Sequence, residues 1–219
     1  MLSHLDRIVF ADRCEVIEVI PSQRYVYPIF KNGYSSFIMA KEQNNWRVYI
    51  NQQIQKIINI DVIIRNPQDR VISGINTFTQ NVMRDNSELD ATTVRWFAQN
   101  YLHLDRHYCP QFSWILNLAR YLNADAKLNF LSMSNIDDIA KLHKKPPGIC
   151  KVSEDLAEQF AQIKNNEMYQ RIDTIIFNAI GQSMTFGQLL QFIKHNDTLA
   201  YEYVIGHAQQ ILAPTYVLP

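Results

Sequence analysis

Short runs of crowded apolar residues, separated by segments whose apolar positions recur every three or four residues, divide the chain into predicted strands and helices. RYVYPIF (24–30) is β-branched and aromatic and predicts a strand, and YSSFIMAKEQ (34–43) after it can begin a helix with serines in its first turn. WRVYI (46–50) predicts a second strand. NIDVIIRNP (59–67) predicts a third, apolar almost throughout its middle, as a strand covered on both faces should be. Pro67 suits the first turn of a helix and opens PQDRVISGINTFTQNVMR (67–84). Strands and helices in alternation predict an α/β fold with a central parallel sheet.

Beyond residue 90 the helical spacing dominates. ATTVRWFAQNYLHL (91–104) is predicted helical, and AKLNFLSMS (126–134) is predicted as a further strand ahead of the acidic NIDDIAKL (135–142). After the loop HKKPPGIC (143–150), the segments 153–164, 167–180, 186–195 and 199–212 all carry helix-period apolar positions, which predicts a helical C-terminal third. Trp96, Phe97, Tyr101 and Trp114 are expected in the core. Lys144, Lys145 and Gly148 lie in a loop that is either a plain exposed connection or one that approaches a nucleotide or acceptor. No internal repeat or low-complexity linker interrupts the pattern, and 219 residues suit one domain, 1–219, with a proper core.

Charge narrows the function classes. The 21 basic and 21 acidic residues cancel, so the broad electropositive surface of a nucleic-acid binder is not expected, while a local anion pocket still is. The three cysteines, Cys14, Cys109 and Cys150, form no C-x-x-C pair and predict neither a zinc knuckle nor a disulfide framework, which fits a reducing compartment. Asp6, Asp12, Glu15 and Glu18 exclude a signal-peptide core in the first twenty residues, and no run reaches the length of a membrane span. A cytoplasmic protein with no membrane partner is expected.

Two stretches carry candidate chemistry. IFKNGYSSF (29–37) places a lysine, a glycine and two serines between a strand and a helix, where backbone N–H groups and the helix dipole favour an anion. It is not a Walker A loop, because Lys31 precedes Gly33 instead of following the last glycine. Asp61 precedes the core of its strand, so it is poorly placed to hold a magnesium ion at the strand's exit. The second stretch is VIIRNPQDRVISGI (62–75), with Arg65 at the carboxyl end of the third strand and Ser73 eight residues later on the next helix. A guanidinium fork and a hydroxyl so placed can clamp one phosphate.

Together these stretches resemble the sulfotransferases that use 3'-phosphoadenosine-5'-phosphosulfate (PAPS). That family pairs a Pro-Lys-x-Gly-[Ser/Thr]-[Ser/Thr]-Ser loop for the 5'-phosphosulfate with an Arg-(seven residues)-Ser strand-helix for the 3'-phosphate. FKNGYSS (30–36) and RNPQDRVIS (65–73) stand in that order here, and LDRHYCPQFSWI (104–115) is similar to the His-x-x-Pro-Gln segment of the carbohydrate-type branch and its bacterial and viral relatives. The resemblance runs over residues 24–140. The chain departs from the pattern with Phe30 at the proline position, Tyr34 at a small hydroxyl position, and a short interval between the first two motifs.

The resemblance implies a P-loop-like donor site with PAPS as donor, PAP as product, and no metal requirement. Lys31 is then expected to offset charge on the leaving oxygen, with Asn32, Gly33, Tyr34, Ser35 and Ser36 around the 5'-phosphate and Arg65 and Ser73 on the 3'-phosphate. His107 is the expected base for the acceptor's proton, with His103 and Asp105 as alternates. His103, His107 and Cys109 could also be read as metal ligands, but no further cluster completes a tetrahedral set. The acceptor is expected to be a hydroxyl on a sugar, glycan or small metabolite. A magnesium-dependent kinase-type enzyme and a non-catalytic protein keeping the fold are the alternatives.

Overall fold

The computed structural model describes residues 13–29, 32–82, 109–140, 142 and 164–211, and for 75–82, 164–166 and 210–211 it describes the backbone alone. In Glu15–Val19 (β1), Val16, Ile17 and Val19 are buried and the two glutamates are half-buried, the pattern of a strand with a wetter edge. A single 3-10 turn, Ile20–Ser22, reverses the chain, and Gln23 takes a left-handed φ of 52° before Arg24–Tyr27 (β2) pairs antiparallel with β1. Arg47–Ile50 (β3) pairs antiparallel with the other side of β1. Asn59–Ile64 (β4) lies parallel to β2, Lys127–Ser132 (β5) parallel to β4, and Ser183–Thr185 (β6) closes the row antiparallel to β5. The six-stranded order is β3-β1-β2-β4-β5-β6.

The α/β class stands, but the central parallel sheet expected from the alternation is a mixed one, with adjacent parallel pairs only across β2, β4 and β5. Two strands absent from the sequence prediction account for the difference. β1 inserts between β2 and β3 and runs against both, so the 46–50 run is an edge strand and not the neighbour of β2. β6 is three residues long, too short for alternation to register between two helices.

Seven α-helices are assigned among the described residues: α1 (Tyr34–Asn44), α2 (Pro67–Val82), α3 (Gln111–Ala119), the single turn α4 (Ile136–Ile139), α5 (Lys164–Phe177), α6 (Phe186–Asn196) and α7 (Thr198–Ile211). None of them is long and apolar enough to cross a membrane. On one face of the sheet, Phe37 and Ala40 of α1 and Ile136 and Ile139 of α4 pack on Ile17, Val19, Val26 and Ile63. On the other, α3, α5, α6 and α7 bury Val62, Ile64, Leu128 and Phe130. β4 is therefore covered on both sides, with all residues from Ile60 to Ile64 buried, as its apolar run predicts. Each fully buried valine or isoleucine there contributes about 1.5–3 kcal/mol. Trp114 is buried, as expected. The predicted helix 91–104, the predicted helix 153–164 up to residue 163, and the loop 143–150 lie outside the described residues.

The connections set up the site. From β2 the chain leaves through α1 on one face toward β3, whereas from β4 it proceeds to β5 by way of α3 on the opposite face. Parallel neighbours whose connections part to opposite faces leave a crevice beyond their carboxyl ends, where ligands of open α/β sheets gather.

Candidate functional site

The loop after β2 reaches that crevice. Asn32 N–H donates to Ile29 O at 2.9 Å, and Gly33 follows with φ 87°, a left-handed conformation that glycine alone adopts readily. A Cβ on Gly33 would also stand 2.9 Å from Ile136 Cδ1. Gly33 is the N-cap of α1 without a capping side chain, and its carbonyl accepts from Ser36 N at 3.0 Å and Phe37 N at 3.1 Å. Ser35 is exposed and Ser36 and Tyr34 are half-buried at the start of α1.

At the end of β4 the sequence folds as its local signals require. Asn66 Oδ1 accepts from Gln68 N at 2.9 Å and Asp69 N at 3.3 Å, capping α2, with Pro67 at the first helical position and Asp69 in the first turn. Arg65, the residue between strand and cap, is half-buried. Burial pushes its guanidinium below the ordinary arginine value, and the Asp69 carboxylate opposes that shift. Ser73 is half-buried in the second turn of α2.

Gln111 joins the two segments. Its side chain is fully buried at the start of α3, and its Oε1 accepts from Arg65 N at 2.9 Å while its Nε2 donates to Arg65 O at 3.0 Å. The amide thus serves as a one-residue strand beside the point where the β4 ladder stops, and its orientation is fixed by having one donor and one acceptor opposite it. The same Oε1 accepts from Asn32 Nδ2 at 2.6 Å, and Asn32 Nδ2 also donates to Ile63 O at 2.8 Å. Asn32 is fully buried, and its Oδ1 has no hydrogen-bond partner among the described residues. A buried acceptor of this kind stands ready for a donor group. The loop after β2, the exit of β4 and the start of α3 therefore meet in one buried cluster of amides.

Asp173, on α5, holds this cluster from behind. Its carboxylate accepts from Gln111 N at 2.9 Å and from Phe112 N at 3.0 Å, capping α3 from a distant helix. Burial pushes the Asp173 carboxyl up from its ordinary value, and the Arg70 guanidinium, the two backbone amides and a hydrogen bond from the Gln111 side chain pull it back down. Arg70 is itself buried, on α2. Gln111 stands in the quoted Pro-Gln pattern but carried no expected role, and Asp173 had only a weak local signal, one carboxylate among Ile172, Ile175 and Ile176 on the buried side of a largely polar helix.

Lys31, Phe30, His103, Asp105 and His107 lie outside the described residues. Among the described residues no His, Cys, Asp or Glu side chains gather into a metal-holding group of three or more. Asp61 lies level with Val26, nearer the amino end of β4 than the crevice, ion-paired to Arg24 Nε at 2.5 Å and accepting from Asn129 Nδ2 at 3.0 Å. These groups line a depression of about 360 Å³ with Gln23, Lys56 and Asn59, and a second depression of about 450 Å³ lies along α5 around Arg171 and Asp197. Comparison of the chain with protein-family models, with curated proteins and with solved structures gave no match.

Proposed function

We propose that the protein is a PAPS-dependent sulfotransferase whose donor site lies in the crevice beyond β2 and β4. The observation that carries this reading is the Gln111 amide: a residue of the third motif, hydrogen-bonded to Asn32 of the first and to the backbone of Arg65 in the second. Three stretches singled out separately along the chain share one buried cluster, at the end of the sheet where a phosphate-rich ligand would sit.

In this reading the Gly33, Tyr34 and Ser35 amides, at the positive end of α1, face the 5'-phosphate, with Ser35 and Ser36 hydroxyls beside them. Arg65 supplies two parallel N–H donors to the 3'-phosphate and Ser73 one more. Sulfuryl transfer places the attacking and leaving oxygens in line, so protein groups act chiefly by positioning and by offsetting the charge that grows on the leaving oxygen. Lys31 takes that role. His107 accepts the proton of the acceptor hydroxyl, with His103 or Asp105 in its stead if His107 proves dispensable. The commitment of Asp61 to Arg24 and Asn129, away from the crevice, disfavours a magnesium-nucleotide alternative that would use this carboxylate.

The test is thermal unfolding with PAP, ATP or AMP. A ligand that binds only the native state stabilises it by about 2.7 kcal/mol at a hundredfold excess over its Kd. PAP is expected to raise Tm well above AMP, with ATP weaker than PAP and indifferent to magnesium. Stabilisation by magnesium-ATP in preference to PAP, or by none of the three, would refute the donor assignment.

A further inference from the structure

The cluster around Gln111 has a property that phosphate binding alone does not require. Asn32 and Arg65 are not merely near one another. Both hydrogen-bond the same Gln111 amide, whose oxygen is 2.6 Å from Asn32 Nδ2 and 2.9 Å from Arg65 N. That amide cannot drift along α3, because the Gln111 and Phe112 amides are held by Asp173 on α5. Nor can the Asn32 side chain swing, since its second hydrogen bond ends on Ile63 O inside β4 and the residue has no exposed surface. The backbones leading into the two phosphate-binding segments are therefore clamped at one separation before any ligand arrives.

We infer that Gln111 is a positioning residue that sets the spacing of the two anion-binding segments, so that the site selects a nucleotide phosphorylated at both its 5' and its 3' positions over either monophosphate. This deepens the sulfotransferase reading and rests on it. A ligand with two phosphates at a nearly fixed separation gains from a rigid site because the second contact then costs little additional ordering. A monophosphate uses one segment and gains nothing from the spacing. Loss of the clamp should accordingly be felt by the bisphosphate and hardly by the monophosphates. Gln111 touches no ligand in this scheme; it acts through Asn32 and Arg65.

Calorimetric titration of the wild-type chain, Gln111→Met and Gln111→Glu with PAP, 5'-AMP and 3'-AMP tests this, with unfolding curves showing that each variant is folded at the titration temperature. Methionine keeps the length and removes the side-chain hydrogen bonds to Asn32, Arg65 and Asp173; glutamate keeps an oxygen for Asn32 and Arg65 N–H and loses the donor to Arg65 O and Asp173. Gln111→Met should weaken PAP about tenfold or more, the scale of a lost buried hydrogen bond, while both monophosphates stay within about threefold of wild type. Gln111→Glu should fall between, a partial rescue that a purely structural role would not produce. If either variant weakens all three ligands alike, or leaves PAP unchanged, Gln111 is not a spacer and the inference is overturned, although the donor site stands. If the wild-type chain binds none of the three, the donor reading itself fails and the spacing role fails with it. Should Gln111→Met not fold, the ratio of PAP to monophosphate affinity in Gln111→Glu decides the matter by the same criterion.

Discussion

Arg65 bears two separate duties within one residue. Its backbone N–H and C=O end the β4 strand against the Gln111 amide, whereas its half-buried guanidinium, lowered by burial and raised by the Asp69 charge, is in the proposed donor site the group that meets a phosphate. Truncating the side chain therefore leaves the backbone clamp in place and removes the charge. Arg65→Ala is expected to weaken PAP by about 1.5–3 kcal/mol, as loss of a charged hydrogen-bond partner does, and Ser73→Ala by less. Binding of 5'-AMP should change little in either variant. Equal losses for PAP and 5'-AMP would show that these side chains do not read the 3'-phosphate. Gly33 was legible in the sequence because its requirement, a positive φ, is local, while Arg65 and Ser73 were singled out by their spacing across the strand-to-helix turn.

The helix starts show how much a few neighbouring residues can decide. Asn66 and Pro67 announce α2, and Thr185 with Gln188 forms a reciprocal capping pair at α6, its Oγ1 accepting from Gln188 N at 3.2 Å while Gln188 Oε1 accepts from Thr185 N at 2.9 Å. Asp197 does the same for α7: its Oδ1 accepts from Ala200 N at 3.1 Å, and its Oδ2 pairs with Arg171 of α5. The Ala200 amide foremost, with Arg171 assisting, holds the Asp197 carboxyl below its ordinary value of 3.8. A carboxyl with a depressed folded pKa binds fewer protons in the native state, so its contribution to stability is fully present above 3.8 and is lost as pH falls through the folded value. Asp197→Asn preserves a capping oxygen and removes the titration. Its stability should fall less steeply than that of the wild type below pH 4, measured by urea unfolding across the acid range; identical acid limbs would mean that Asp197 does not contribute to them. By contrast α3 has no such local signal. Its N-cap is Pro110, without a side-chain cap bond, and the carboxylate that satisfies its first amides comes from α5.

At the scale of the whole molecule, the sheet is bound into two apolar layers, and Cys14, just before β1, measures how tightly the larger one is closed. Burial pushes the Cys14 thiol up to about 12, against the lowering effects of a Tyr27 hydrogen bond and the Arg120 charge. With 1% of its surface exposed, the thiol is neither ionised nor reachable while the layer is shut. Alkylation of Cys14 near pH 8, followed by peptide mapping, should be negligible in the native protein and rise with urea in step with the global unfolding curve. Labelling at the rate of a free thiol in the absence of denaturant would mean that the chain before β1 opens independently of the rest. β1 also explains why the sheet is mixed at one edge while its centre is parallel. Its acidic residues served only to argue against a signal-peptide core, although Glu18 accepts a hydrogen bond from Tyr49 Oη at 3.0 Å across the β1–β3 pair and belongs to a strand.

The sequence by itself determined the strand-loop-helix units around residues 24–44 and 59–82, the glycine at the turn into α1, the asparagine-proline start of α2 and the three stretches that make a donor site worth proposing. Each depends on periodicity, dihedral freedom or hydrogen bonds spanning a handful of residues, and such constraints are written in neighbouring letters. Only the tertiary structure decided that β1 would insert between β2 and β3, and that Asn32 would meet Gln111 across 79 residues, itself held by Asp173 a further 62 along. A buried amide or carboxylate must be paired somewhere, but its own sequence neighbourhood does not say where. The partner is chosen by which helices the sheet's two apolar faces bring together, and that is a property of the packed chain.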